Sequence, residues 1–113
     1  MNIQIFGTKK SSDTRKAERW FKERRIKFQY INLAEKDISK GELTSVAQAT
    51  GGLRGLIDEK AKDDYAVALL QHTPDGMLLE KLLENQQVLR QPIVRNGRQA
   101  TVGYAPDVWK TWE

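Results

Sequence analysis

The stretch FGTKKSSDTRKAERWF, residues 6–21, decides the fold. Just before and at its start, isoleucines alternate with polar residues, which predicts a strand ending at Gly7. Ser12 or Asp13 can cap the helix that follows. In this predicted helix, Ala17, Trp20, Phe21 and Arg24 recur at three- and four-residue spacing, which places them on one face. The corner between strand and helix is therefore polar, basic and rich in hydroxyl groups.

Further signals along the chain mark a second strand and a second helix. Apolar residues alternate with polar ones over residues 26–33, as is typical of a half-buried strand. Ser39 and Glu42 have the spacing of a capping box, which predicts the start of a helix. Gly51 and Gly52 are predicted to end that helix.

The second half of the chain carries three more helix starts and a hairpin signal. Asp63 opens one helix, and Thr73 is predicted to cap the next, with Pro74 as its first helical residue. Asn96-Gly97 predicts a tight turn between two strands. Pro106 opens a last helix.

The order of these elements predicts an α/β fold. A β-α-β unit gives parallel strands joined by a right-handed crossover, and a hairpin adds an antiparallel pair. We therefore expect one domain over residues 1–113, with a mixed four-stranded sheet flanked by helices and a helical insertion around residues 39–89. The corner after the first strand lies at the sheet edge where ligands tend to bind.

Composition excludes several classes of chemistry. The 113 residues include no cysteine, so disulfides, zinc-thiolate sites and iron–sulfur clusters are excluded, and a reducing compartment fits. No signal peptide pattern and no membrane span are visible, which predicts a cytoplasmic protein without membrane contact. The net charge of +4 is mild, and aromatic residues do not alternate with basic ones, so direct nucleic-acid binding is not favoured.

Three segments in order carry a resemblance to a known family. They are IQIFGTKKSSDTRKAERWF at residues 3–21, LRQPIV at residues 89–94 and GRQATVGYAPDVW at residues 97–109. Together they resemble the arsenate reductase-like (ArsC/Spx) family, whose fold is thioredoxin-like. The resemblance covers almost the whole chain and implies that fold here.

The resemblance also implies which positions of this chain would carry cysteine in the family. In this family the position matching Ser11 normally holds a cysteine, and Spx-type members have a second at the position matching Thr14. A helix N-terminus can lower a thiol pKa until the thiolate dominates, whereas a serine hydroxyl starts far too high. Oxygen also cannot form the mixed disulfide of thiol exchange. The chain is therefore predicted to be inactive in thiol chemistry, and His72, the sole histidine, has no nucleophile motif around it.

The residues predicted to bind a ligand surround that corner. Backbone N–H groups at the helix start favour anions, and basic side chains flank them. From the corner itself we expect contributions from Lys10, Ser11, Ser12, Thr14 and Arg15. By resemblance, Arg90 would face an anion and Pro92, typically cis in the family, would shape the neighbouring loop.

Two departures weaken an arsenate reductase assignment. The dedicated reductases carry an arginine at the position that aligns best with Asp58, and Arg54 is close but out of register. They carry another near the match to Gly103-Tyr104. With sulfur absent and two of three arginines unmatched, arsenate reduction by this chain is not expected.

Three functions stay open. The first is a non-catalytic binding or regulatory module with a protein partner, which by analogy with Spx-type regulators would be RNA polymerase. The second is a glutathione-dependent oxidoreductase, which requires that Ser11 replaces a cysteine of the natural chain; a natural loss of that cysteine is equally open. The third is a small-oxyanion binding protein. No metal is expected, and glutathione is the only cofactor considered, under the second function alone.

Two surface features complete the predictions. Four cations share one face of the first helix and could meet an acidic partner, although a solvated face explains them as well. They are Arg15, Arg19, Lys22 and Arg25. Trp109 and Trp112 lie one turn apart in the last helix, where core packing is the simpler explanation.

Overall fold

The computed structural model describes residues 1–112 and confirms the predicted α/β fold. Over residues 1–112, four strands and five helices follow one another, with 3₁₀ turns at Arg54–Leu56 and Gln86–Val88. The strands are β1 (Ile3–Gly7), β2 (Phe28–Asn32), β3 (Ile93–Asn96) and β4 (Gln99–Val102). The helices are α1 (Ser12–Glu23), α2 (Lys40–Thr50), α3 (Asp64–Gln71), α4 (Asp75–Glu84) and α5 (Pro106–Trp109).

The strands form one mixed sheet in the order β2-β1-β3-β4. β1 pairs in parallel with β2, with Ile5 opposite Tyr30. β3 runs antiparallel to both of its neighbours, and Ile93 lies opposite Val102 in the hairpin. α1 therefore makes the crossover between parallel strands, and the corner after β1 lies at the carboxyl edge of the two parallel strands.

Successive side chains along each strand point to opposite sides of the sheet, and apolar side chains cover both of its faces. On the face covered by α1 and α5, Ile3, Ile5 and Val94 pack against a cluster of aromatic side chains. The aromatic cluster comprises Trp20, Phe21, Trp109 and Trp112. Trp109 is only 2% exposed and its indole N–H donates to Thr101 Oγ1 at 2.7 Å, so the core role predicted for this tryptophan is confirmed.

The other face is covered by helices that lie between β2 and β3 in the sequence. Phe6, Ile31 and Ile93 pack there against aliphatic side chains from α2, α3 and α4. The buried aliphatic residues of those helices are Leu43, Val46, Ala66, Val67, Leu70, Leu78 and Leu82. This second core has no tryptophan among the described residues.

Most of the predicted helix ends are confirmed, but two of the caps differ. α1 is capped by Ser11, not by Ser12 or Asp13, because the Ser11 hydroxyl is the one that accepts the Thr14 N–H. α4 begins at Asp75 with Pro74 at the N-cap. Thr73 lies one residue before this N-cap, and its hydroxyl donates to Leu69 O in the last turn of α3.

The hairpin turn also lies one residue further along than predicted. Asn96 is the last residue of β3 and pairs with Gln99, so the two loop residues are Gly97 and Arg98. Gly97 has φ of +62°, which is the conformation that the first loop position of a primed turn requires. Among residues 1–112, no helix is long and apolar enough to cross a membrane.

Candidate functional site

The corner after β1 is held by Ser11. Its Oγ accepts the Thr14 N–H at 3.2 Å, and its own N–H donates to Thr8 O at 3.1 Å. The Ser11 carbonyl accepts the Arg15 N–H at 3.2 Å. The Ser11 hydroxyl, at the position where the resemblance implies a cysteine, thus satisfies a backbone donor at the start of α1.

Thr14, where the resemblance implies a second cysteine in some relatives, is completely buried against the strand. Its side chain lies where a side chain on Gly7 would stand, since a Cβ on Gly7 would come within 2.8 Å of Thr14 Cγ2 and overlap Oγ1. Within residues 1–112 the Thr14 hydroxyl has no hydrogen-bond partner. Thr14 therefore packs β1 against α1 and is closed to solvent, unlike Ser11.

A glutamine joins the corner to the loop before β3. Gln91 Oε1 accepts both the Thr8 N–H at 2.7 Å and the Thr8 hydroxyl at 3.1 Å. The Gln91-Pro92 peptide bond is cis, as the resemblance implied. Gln91 is the site residue that the sequence reading missed, although its place inside the Arg-x-Pro segment was a usable signal.

The Arg90 side chain reaches the segments at Gly55 and Gly103. Its Nη1 donates to Gly55 O at 3.0 Å, and Nη2 is 3.5 Å from where a Cβ on Gly103 would stand. The Arg90 N–H donates to Leu56 O at 2.8 Å. The guanidinium therefore binds the backbone of the 3₁₀ turn at Arg54–Leu56.

The other arginine considered, Arg54, also has protein partners. Its guanidinium contacts Asp75 Oδ1 at 2.7 Å and donates to the Thr73 carbonyl at 2.6 Å. It joins the 3₁₀ turn to the α3–α4 corner.

The basic residues of the corner are mostly engaged. Lys9 Nζ contacts both carboxylate oxygens of the buried Glu18, at 2.7 and 2.9 Å, and lies over the Tyr30 ring. Arg15 donates to the Lys9 carbonyl, and Lys16 is 3.9 Å from Asp13. Lys10 is the corner cation that has no ion pair among the described residues.

Tyr30 borders this ion pair at the sheet edge. Burial raises the pKa of its phenol, and Lys9 partly offsets this because its positive charge favours the ionised form. The phenol donates to Gly7 O at 3.3 Å. Tyr30 thus stays protonated at neutral pH and supports the end of β1.

A groove of about 1080 Å³ runs beside the corner. Its lining residues are drawn from four segments of the chain, within residues 8–13, 32–37, 58–63 and 83–91. Its apolar lining includes Leu33, Ala34, Ala61, Leu83 and Leu89. Ser11, Ser12, Lys10 and Gln91 line it, whereas Arg90, Pro92, Thr14 and Arg15 do not.

The charged lining of this groove has both signs. The cations are Lys9, Lys10, Lys60 and Lys62, and the anions are Asp13, Asp37, Asp58, Asp63 and Glu84. Asp63 caps α3, and hydrogen bonds from Gln87 and the Ala66 N–H hold its pKa below the usual value. Because carboxylates are at least as numerous as cations here, the groove as a whole does not favour small anions.

His72 is remote from this groove. It caps the end of α3, is exposed, and its Nδ1 lies 2.8 Å from Ala68 O. In the described chain, no group of acidic and histidine side chains is arranged to hold a metal ion.

The chain belongs to the ArsC family, whose model matches residues 6–112. It is 31% identical over 109 residues to the global transcriptional regulator Spx 2 of Oceanobacillus iheyensis, covering 95% of this chain and 80% of that protein. It is 25% identical over 111 residues to the Bacillus subtilis protein YusI, covering 95% and 94%. The predicted resemblance is confirmed over nearly its whole extent.

Solved structures agree with this assignment. An arsenate reductase from Vibrio cholerae superposes with a TM-score of 0.80 at 25% identity, over 96% of this chain and 94% of that one. An arsenate reductase (ArsC) related protein from Brucella melitensis gives 0.61 at 14% identity, over 99% and 94%. The thioredoxin-like fold is therefore that of the family, while the cysteine is absent from this sequence.

Proposed function

We propose that this chain is a non-catalytic binding or regulatory module of the ArsC family and that its partner is a protein. The observation that carries the proposal is the state of Ser11. Its oxygen occupies the reactive position and accepts the Thr14 N–H as a helix cap. With no cysteine in the sequence, the corner retains its local structure without the atom that performs thiol chemistry.

The groove supports a protein segment as the ligand. An extended peptide needs apolar contacts for some side chains and polar partners for its backbone and its charges. The lining offers Leu33, Ala61 and Leu89 together with carboxylates and ammonium groups. One relative is a global transcriptional regulator, so RNA polymerase is the first protein to test as the partner.

The test measures binding of the host's purified RNA polymerase to the immobilised chain and to two tryptophan variants. Ala34 is exposed and lines the groove, so Ala34→Trp should obstruct it and weaken binding on the order of tenfold. Ala49 is exposed on α2 outside the groove, and Ala49→Trp is the matched control. Equal binding by both variants would show that the partner binds outside the groove. Absence of binding by the unmodified chain would contradict RNA polymerase as the partner.

The oxidoreductase alternative is tested at the same position. If Ser11 replaces a natural cysteine, the gene encodes cysteine at codon 11 and Ser11→Cys should acquire a thiol that reacts with glutathione disulfide. The unmodified chain should neither form a mixed disulfide nor reduce arsenate in the presence of glutathione. Turnover of arsenate by the unmodified chain would refute the non-catalytic proposal.

A small-oxyanion site is the third candidate, and the contacts weigh against it. Lys9 is paired with Glu18, Arg90 is bonded to Gly55 O, and Asp13 lies at the same helix start as Ser11. Titration with phosphate or arsenate followed by amide NMR tests it. A saturable shift of the Ser12 and Asp13 amides would revive this candidate.

A further inference from the structure

The outer surface of α1 and the segment after it hold an excess of positive charge. Residues 9–27 carry nine basic and three acidic residues, a net charge of +6, whereas the rest of the chain has a net charge of −2. Of the three acids, Glu18 is buried and Asp13 is paired with Lys16. The mild overall charge therefore conceals a strongly basic region.

Apart from Lys10 at the corner, four of these cations are exposed and have no side-chain partner among the described residues. Arg15 is bonded to the Lys9 carbonyl, and Arg24 stacks over the Trp20 ring at 4.0 Å. The remaining cations of α1 and its C-terminal extension have no side-chain hydrogen bond or ion pair within the described part of the chain. These are Arg19, Lys22, Arg25 and Lys27, which we call the basic ridge.

One member of the basic ridge has an unfavourable backbone conformation. Arg25 has φ of +58° and is the one non-glycine residue with positive φ among residues 1–112. It follows the cap of α1, a position where glycine is preferred because it lacks a Cβ. An arginine at this position opposes the local backbone preference, and such outliers point to a function of the side chain.

We propose that the basic ridge binds an acidic segment of a partner protein. Arg19 and Lys22 are three residues apart on α1, so carboxylates one helical turn apart on the partner can meet both. The ridge residues do not line the groove at Ser11, so this interface is separate from the proposed peptide groove. The proposal stands independently of the groove's ligand.

The acids of this chain and nucleic acid both fit the ridge less well. Around α3 and α4, Asp63, Asp75, Glu80 and Glu84 already contact Gln87, Arg54, Lys40 and Lys81, and each would give up this partner on meeting the ridge of a second copy. Glu23 is exposed beside Lys22 and would repel a phosphate backbone, whereas a protein can place a cation opposite it. The strongly exposed tyrosines of the described chain, Tyr65 and Tyr104, lie outside the ridge and cannot stack bases on it.

The experiment uses a fluorescent glutamate-rich helical peptide of about 16 residues, long enough for four helical turns, at about 0.05 M salt, where screening is weak. Arg19→Glu/Lys22→Glu should weaken binding on the order of tenfold by loss of two attractive charges and gain of two repulsive ones. Lys36→Glu/Arg98→Glu changes the net charge equally at exposed sites outside the ridge and should leave binding within about twofold. Anisotropy measures both.

A further variant separates binding from folding. Arg25→Gly should raise the midpoint of thermal unfolding because glycine suits the positive φ, and it should weaken peptide binding a few-fold. Equal weakening by the two charge-reversal pairs would show a net-charge effect and overturn the ridge. Absence of peptide binding would overturn it as well, as would tighter binding of a duplex DNA of equal charge.

Discussion

The two faces of the sheet are built differently, and they present different surfaces. The aromatic face packs α1 and α5 against Ile3, Ile5 and Val94 and presents the basic ridge on the outside. The aliphatic face packs α2, α3 and α4, and the groove opens where their connecting segments meet the corner at Ser11. One family fold thus provides a convex charged surface and a concave mixed one.

The difference follows from how each face is assembled. α1 and α5 directly follow β1 and β4 with short connections, so large rings can pack closely against the strands. On the aliphatic face the connections before α2, between α2 and α3 and after α4 are longer, and Arg54 and Gln86 bond these segments to distant backbone groups. Gaps remain between such segments, which is where a groove can form.

The largest expected loss of stability follows from truncating a side chain of the aromatic face. Trp109→Ala should lower the free energy of unfolding by about 3–5 kcal/mol because it removes a buried ring and leaves a cavity. It also leaves Thr101 without its donor. Denaturant unfolding monitored by circular dichroism measures the loss.

Leu82→Ala on the aliphatic face is the matched comparison. Leu82 is also fully buried, and its truncation should cost about 2–5 kcal/mol, at or below the loss for Trp109→Ala. A larger loss for Leu82→Ala would mean that the aliphatic face dominates stability and would break the contrast between the two faces.

An intermediate loss of stability is expected from substitutions at the contact between β1 and α1. Gly7→Ala should destabilise the fold by about 1–3 kcal/mol because the added methyl group overlaps the Thr14 side chain. Gly7→Ala/Thr14→Ala removes the overlapping atoms and should recover much of the loss. Additive effects in this double-mutant cycle would show that the close approach is not the cause.

The smallest expected loss of stability comes from removing a helix cap, and its pH dependence should differ between Ser11 on α1 and Asp63 on α3. Ser11→Ala removes a neutral cap and should cost about 1 kcal/mol at every pH at which the chain folds. Asp63 has a pKa below its usual 3.8 in the folded chain, so its contribution is complete above the unfolded-state pKa and is lost as pH falls through the folded value. Asp63→Ala should therefore destabilise α3 at neutral pH and progressively less in acid.

Unfolding of the two cap variants from neutral pH down to acid measures this difference. Asp63→Asn keeps a side-chain acceptor and should remove the pH dependence with a smaller loss of stability. A pH-dependent effect of Ser11→Ala, or a constant effect of Asp63→Ala, would contradict the assignment of these two caps.

Local patterns predicted the elements of the fold well because their causes are local. Alternation at Ile3 and Ile5, the capping box at Ser39 and Glu42, and Pro106 at a helix start each act within a few residues. The error at the start of α1 arose where Ser11, Ser12 and Asp13 compete for one cap, whereas α4 begins one residue later than predicted, with Pro74 at its N-cap. Only the geometry of the chain selects which hydroxyl reaches the free N–H group.

The site was predicted only in part. Lys10, Ser11 and Ser12 do line the groove, whereas binding of a ligand by them stays a prediction. Arg90 was placed by resemblance; its guanidinium donates one hydrogen bond to Gly55 O, and binding of an anion by it likewise stays a prediction. The Gln91–Thr8 contact joins residues 83 positions apart, and no periodicity in the sequence signals it.

The sequence by itself determined the order of strands and helices, the family and the loss of sulfur, because each depends on residue type and spacing along the chain. Only the tertiary structure decided which of the basic residues stay free and which oxygens and guanidiniums are already bonded. Lys9 with Glu18 and Arg54 with Asp75 are close in space for reasons of packing. Hydrogen bonds and ion pairs depend on distances of a few ångströms, which distant segments acquire only when the core brings them together.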